Sequence, residues 1–306
     1  MPNVHKSEIL QMLRERFGRL EKLAHSQSLF CLGDDAARIY FRYSKRHARD
    51  RAFFGLREVD LRQLEGHNAF LCLFLDDGSP PLFVPYADFE EVFRNAEVAS
   101  DGQYKVYLYL QRDALEMAVA GQGRFNVESY AGFEALERSL DARRLREARD
   151  LSHSQVQTLL ADIGRIKGYD IRVPENDVGR LEWSLAKPFP LRQSIPAGFG
   201  DVSSILSEID VLWVTRGRNA IEGLFEVEHS TPVFSGLLRF NDILLMHPEA
   251  SRFSIVSNEP RRGVFSRQIM RPTFRQSGLA DRVTFLEYAN VFEWHARLVH
   301  QGEGHG

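Results

Sequence analysis

The chain is poor in cysteine: its 306 residues hold two, Cys31 and Cys72. Two thiols exclude a disulfide framework and a four-cysteine zinc site. Both lie in apolar runs, where a free thiol is a small buried hydrophobe. A reducing, cytoplasmic compartment is expected. No run of about 18 apolar residues occurs, so no membrane-spanning helix is expected. The opening MPNVHKSEILQML lacks the apolar core of a secretory leader. Several chemistries also lack their residues. There is no Gly-rich loop ending in Lys-Ser or Lys-Thr, no HExxH, no paired CxxC and no GxSxG. A P-loop ATPase, a zinc hydrolase and a nucleophile-elbow hydrolase are therefore disfavoured. Gly198-Phe199-Gly200 is too short for a dinucleotide fingerprint. A large net charge is missing as well: 39 Lys+Arg stand against 42 Asp+Glu, a net −3. A generically basic nucleic-acid coat is excluded.

Basic charge is instead local. Arg42, Lys45, Arg46, Arg49 and Arg51 fall within a short stretch opposed only by Asp50. Arg252, Arg261, Arg262, Arg267, Arg271 and Arg275 have only Glu259 among them. A near-neutral chain with two such clusters suits nucleic-acid binding on one face, with solvated surface charge as the plain alternative. Length points to about two domains. In the first half, apolar spacing from Ser7 predicts a helix to about residue 25, then strands over Leu29–Ser44 broken at Gly33-Asp34-Asp35. Phe53-Phe54-Gly55-Leu56 reads as a lead-in to a short helix, Glu58–Leu64. Strands are expected over Asn68–Leu75, Leu82–Val84 and Tyr104–Gln111, with a helix over Ala87–Phe93. Residues 1–130 thus read as an α+β domain. Ala135–Asp150 is charged and helix-forming, which suits a solvent-bridging linker placed at 131–150.

Residues 151–306 read as a second, α/β domain. Ser152 caps a helix carrying Val156, Leu159, Leu160 and Ile163. A strand follows at Tyr169–Val173, then a segment over 178–200 with no clear element. Two apolar runs come next, Ile209–Val214 and Ile221–Val227, joined by a turn at Arg216-Gly217-Arg218-Asn219. They read as buried strands, yet they carry Asp210, Glu226 and Glu228. A buried carboxylate needs a partner, and a metal ion is a common one. Glu226 and Glu228 are two apart and face one side of a strand. With Asp210 on the paired strand, three carboxylates converge, an arrangement suited to one or two Mg²⁺ ions and to phosphodiester hydrolysis. The plain alternative is an edge strand with solvated acids. A helix from Thr231-Pro232 to about Met246, strands at Ser251–Ser257 and Val283–Glu287, and helices at Gly263–Arg271 and Val291–Val299 complete the order.

Asp210 followed by Glu226-Val227-Glu228 resembles the core of the PD-(D/E)xK nucleases. Glu228 stands where that family commonly has Lys, and Ile209 where Pro often precedes the Asp. The string FEVEHSTPVFSGLLRFNDIL is similar to a group of bacterial nuclease-like proteins, and the likeness runs from about Ser152 to Tyr288. In the first half, YFRYSKRH, FFGLREVDLRQLEGHNAF and DGQYKV resemble a module of bacterial restriction-type proteins. The resemblance implies a restriction-endonuclease-like mixed sheet flanked by helices, with Asp210 and Glu226 as Mg²⁺ ligands and Glu228 as orienter or base for water. Asp177, Arg239 and His229 are supporting or substrate candidates: Asp177 reads as a second metal or substrate contact or as an Asx-type turn, Arg239 as a DNA-phosphate contact or the partner of an acid, and His229 as a packing or polar contact rather than a base. His153 and Gln155 sit on a helix that can lend a side chain to such a site, but here they are expected outside it. DNA would be met by Arg42, Tyr43, Lys45, Arg46 and Arg49, with Tyr40 and Phe54 nearby, and by Arg261 and Arg262. The expected function is a Mg²⁺-dependent endonuclease of restriction or defence type. It would act on double-stranded DNA as a homodimer, without a membrane. Alternatives are a catalytically silent nucleic-acid binder or an RNA-directed nuclease.

Overall fold

In the computed structural model of the chain, the described residues are 4–303 apart from 25, 34–36, 48–49, 112–113, 145–150, 230–231 and 251. The chain divides into two compact units, Met1–Glu147 and Ala148–Gly306. Among the described residues no helix is long and apolar enough to cross a membrane.

The first unit runs α1 (Val4–Phe17), β1 (Leu20–Lys22), β2 (Leu29–Leu32), β3 (Ala37–Ser44), β4 (Arg51–Arg57), α2 (Glu58–Arg62), β5 (Ala69–Leu75), β6 (Leu82–Pro85), α3 (Tyr86–Asn95), β7 (Gln103–Gln111), β8 (Ala114–Val119), β9 (Gly123–Asn126) and α4 (Phe133–Arg144). The strands form two sheets, β1-β2-β3-β5-β6 and β4-β7-β8-β9. In the first sheet β3 and β5 are parallel; the other pairs are antiparallel. Side chains alternate between faces along a strand, and β3 shows it. Tyr40 joins Phe54, Leu56, Leu71 and Val106 in one apolar cluster, whereas Ile39 and Phe41 join Leu13 of α1 and Leu136 of α4 in another.

The structure departs from three expectations. The first helix stops at Phe17, not near 25, because Gly18 adopts a left-handed φ of 85° and its N–H closes on the Arg14 carbonyl at 3.0 Å. Phe53–Leu56 is no lead-in but the body of β4, paired antiparallel with β7. The helix expected in a solvent-bridging linker is part of this unit. Phe133, Leu136 and Leu140 are buried on one stripe against the first sheet, so three apolar residues outweigh a charged composition.

The second unit runs α5 (His153–Ile166), β10 (Tyr169–Arg172), α6 (Glu175–Val178), α7 (Ser203–Glu208), β11 (Val211–Thr215), β12 (Ile221–Val227), α8 (Val233–Met246), β13 (Phe253–Ser257), α9 (Arg262–Ile269), α10 (Pro272–Ser277), β14 (Val283–Glu287) and α11 (Tyr288–Glu303). Its sheet has the order β10-β11-β12-β13-β14. The pairs β10/β11 and β11/β12 are antiparallel, and β12/β13 and β13/β14 parallel. This is a mixed α/β arrangement, apolar on both faces. Val211, Trp213, Phe225 and Val227 face Val156 and Leu160 of α5 and Trp294 of α11. Leu212, Leu224 and Ile255 face Leu237, Phe240 and Ile243 of α8. The Trp213 Nε1–H donates to the Leu160 carbonyl at 3.0 Å, fixing α5 on the sheet.

At the end of α8, the His247 ring lies 4.4 Å from the Phe199 ring. Its Nε2 is 2.9 Å from Asp201 and its Nδ1 3.0 Å from Glu249. Only the imidazolium can donate to both carboxylates. The Asp201 hydrogen bond accordingly raises the His247 pKa above 6.5. A raised histidine stabilises the fold fully below its unfolded pKa, and that contribution is lost as pH rises through the folded value. His247→Gln is therefore expected to lower the melting temperature most below about pH 6.5 and progressively less at alkaline pH. Thermal unfolding of both proteins at pH 6 and pH 9 checks it; an equal deficit at the two would contradict it.

Candidate active site

The acids converge because of strand register. Val211 opposes Phe225 in the antiparallel pair β11/β12, so Asp210, one residue before β11, meets the end of β12. The Val227 N–H donates to Asp210 Oδ2 at 2.7 Å and ties the two strand ends together. Glu226 and Glu228 both turn toward α8, as their spacing predicts. A β-carbon on Gly236 of that helix would sit 2.8 Å from Glu228 Oε1 and 3.2 Å from Glu226 Cβ. Only glycine lets the helix approach the two acids this closely.

Glu226 is not free. Arg239 of α8 donates to it twice, from Nε at 2.7 Å and Nη2 at 2.8 Å. This is the fork geometry of an ionised pair. Burial pushes the Glu226 pKa up and Arg239 pulls it down, while Asp210 and Glu228 add to the rise; the net direction is upward. The same pair raises the Arg239 pKa.

A second group of side chains reaches Asp210 from the other side. His153 opens α5, where Ser152 and Gln155 form a reciprocal capping box. Its Nε2 is 3.5 Å from Asp210 Oδ1, and hydrogen bonding to Asp210 is the main cause of a raised His153 pKa. Gln157, one turn on and fully buried, donates from Nε2 to the Asp210 carbonyl at 2.9 Å and to Asp177 Oδ2 of α6 at 3.3 Å. Ligand-type atoms of His153, Asp177 and Asp210 all lie within 4.8 Å of one another. The three side chains keep 37%, 20% and 14% of their surface exposed against 1% for Glu226, so this group is the one open to an incoming ligand.

The sequence places Asp210, Glu226, Glu228, Asp177 and Arg239 in one neighbourhood, and the structure brings all five to this end of the sheet. Two expectations change. Glu226, expected as a metal ligand beside Asp210, has both oxygens engaged by Arg239. His153, expected outside the site, faces Asp210. Gln157 lies outside the residues to which the sequence points. Its only signals are a polar residue on the apolar stripe of α5 and its place one turn after His153. His229 stacks parallel on Tyr288, with centroids 6.2 Å apart, and its carbonyl accepts from Arg261 Nη1 at 2.7 Å. Here it makes a packing and a backbone contact.

The basic residues fare differently. Arg261 also donates to the Glu228 carbonyl, at 3.1 Å, and so braces the end of β12. Arg262 is buried, paired with Glu287 at 2.5 Å and seated 4.7 Å from the Phe285 ring centre. That guanidinium is neutralised inside the unit, so its expected DNA contact is withdrawn. In the first unit Arg46 is held by Asp50 and Asp77 at 2.9 and 3.0 Å. Arg42 is half-buried, 5.7 Å from the Tyr40 ring. Tyr40 and Phe54 are core residues, whereas Lys45 and Tyr43 face solvent. Arg49 lies outside the described residues.

The family described as type II restriction enzyme NmeDI C-terminal domain matches residues 135–301. The match spans more than half of the chain, including every residue of the site just described. No curated protein matches the chain.

Proposed function

The chain belongs to the family of the type II restriction enzyme NmeDI C-terminal domain, and from that premise we propose that it is a restriction-type endonuclease that hydrolyses phosphodiester bonds of double-stranded DNA. The proposal extends to a PD-(D/E)xK-type core in the second unit, Mg²⁺ dependence, and recognition of DNA by the first unit. The observation that carries it is the meeting of Asp210, Glu226, Glu228, His153 and Asp177 at one end of the β11/β12 pair, inside the matched segment.

The donor set suits a divalent ion. Carboxylates and an imidazole converge beside the buried Gln157 side chain, whose Nε2 donates to Asp177 and to the Asp210 carbonyl. Such an ion, when bound, polarises the scissile phosphate and lowers the pKa of the attacking water. Asp210 is the ligand common to any placement, since its Oδ2 is already fixed by Val227 N–H and its Oδ1 faces the open side. Glu228 takes the proton from the attacking water. Arg239 compensates the buried Glu226, keeping a second carboxylate beside Asp210 without leaving it unpaired. One site cuts one strand at a time, so cleavage of both strands calls for a homodimer. A cytoplasmic location goes with this reading.

A supercoiled plasmid, methylated or unmethylated, incubated with the full chain and Mg²⁺ tests it. Nicked and linear products that vanish with EDTA are expected; an intact plasmid under every condition contradicts it. The Glu226–Arg239 lock favours one other reading, a DNA-binding relative without catalysis, whose signature is salt-sensitive DNA affinity with no product.

A further inference from the structure

We propose that His153, Asp177 and Asp210 form a mixed nitrogen–oxygen seat for a divalent cation, and that the seat prefers Mn²⁺ to Mg²⁺. The proposal takes its purpose from the endonuclease reading, but its geometry stands apart from it. Three ligand-type atoms within 4.8 Å of one another fit around a common centre, since each bond to such an ion is about 2.0–2.3 Å long.

Each ligand is held from a different direction. The capping box at Ser152 fixes the start of α5 and with it His153. The Val227 N–H fixes the Asp210 carboxylate. Gln157 Nε2 spans the Asp177 carboxylate and the Asp210 carbonyl, joining α6 to the lead-in of β11. The same carboxamide leaves Oε1 buried and without a partner among the described residues. A buried acceptor in that condition is costly. The alternative seat, Asp210 with Glu226, requires the Arg239 fork to open first.

The nitrogen decides the metal. Mg²⁺ demands oxygen ligands in near-ideal octahedral geometry and dehydrates reluctantly. First-row transition dications accept imidazole together with carboxylate. Two carboxylates and one imidazole therefore favour Mn²⁺, while leaving Mg²⁺ a weaker, oxygen-only mode.

The test is Mn²⁺ binding by the full chain without DNA, followed by electron paramagnetic resonance as loss of the free-ion signal, with Mg²⁺ as competitor. Mn²⁺ is expected to bind about tenfold or more tightly than Mg²⁺. His153→Ala is expected to remove that advantage, and Asp177→Asn to weaken both ions. Gln157→Leu is expected to cost about 10–100-fold, the range for residues that position ligands. Glu226→Gln separates the two seats: Mn²⁺ affinity retained supports the proposal, and affinity lost overturns it. Unchanged Mn²⁺ affinity in both His153→Ala and Asp177→Asn also overturns it. If Mn²⁺ binds as described but no DNA is cut, the seat stands and the endonuclease reading falls. If DNA is cut while His153→Ala keeps full Mn²⁺ affinity, the reverse holds.

Discussion

Asp210→Asn is expected to reduce DNA cleavage by about 10²–10³-fold or more, the loss typical of removing one group that stabilises developing charge. By the rate relation this is about 3–4 kcal/mol of transition-state stabilisation. The change is chosen to leave the fold in place. Asparagine keeps an oxygen to accept from the Val227 N–H, so the tie between β11 and β12 survives. What it removes is the negative charge that faces His153 and belongs to both the proposed seat and its alternative with Glu226. A charged acceptor is stronger than a neutral one, so stability should fall by about 1 kcal/mol. Cleavage rates and urea unfolding measured on the same preparations separate the two effects. An asparagine variant that cuts at near the wild-type rate would remove Asp210 from the chemistry.

Above about pH 8, where Glu226 is ionised, Arg239→Met is expected to have the largest effect on stability of any change near the site, about 3 kcal/mol, the low end of the range for stripping the partner from a buried charge. The low end applies because the Arg239 side chain is 29% exposed, while Glu226 is 1% exposed. Methionine keeps much of the aliphatic stem, so the loss reports on charge rather than on volume. Glu226→Gln in the same chain removes the orphaned charge and should restore most of the difference, giving a strong coupling in a double-mutant cycle. The pH dependence has a definite sign. Burial already raises the Glu226 pKa, and losing Arg239 removes the main opposing pull. A carboxyl raised in the folded state binds more protons there than in the unfolded chain between the two pKa values, so stability falls as pH rises through that window. The deficit of Arg239→Met should therefore stay nearly constant up to about pH 8, the raised value of Glu226 with Arg239 in place, and widen above it. A deficit unchanged with pH, or not relieved by Glu226→Gln, would contradict the buried-pair account.

What the sequence reveals and conceals here has a physical pattern. The strands β11 and β12 stand out because they are fully apolar runs with acids set into them, and the Glu-x-Glu spacing alone fixes which way both acids turn. The helix cap at Ser152 is legible because Gln155 follows at the interval that a capping box needs. β4 is hidden because its alternation places Arg51, Phe53 and Arg57 outward, with a glycine inside the run, so no continuous apolar stretch appears. α4 is misplaced because composition weighs every residue equally, whereas burial depends on the stripe Phe133, Leu136 and Leu140.

The site shows the same division. The approach of Asp210 to Glu226 follows from two neighbouring strands, a short-range relation. The approach of His153 and Asp177 to Asp210 depends on where α5 and α6 dock on the sheet, which no spacing encodes. Charge counting finds Arg262 and Arg46, with Asp50 beside the latter, but not the distant Glu287 and Asp77 that also occupy them.

The central claim is metal-dependent cleavage of DNA at the Asp210 end of the sheet. Its most direct test is a side-by-side incubation of wild type and Asp210→Asn with a pool of methylated and unmethylated duplex DNA, in Mg²⁺, in Mn²⁺ and in EDTA. The account predicts products from wild type with either metal, none in EDTA, and products from Asp210→Asn reduced at least about 100-fold. Cleavage that persists in EDTA, or that is equal in the two proteins, would contradict it.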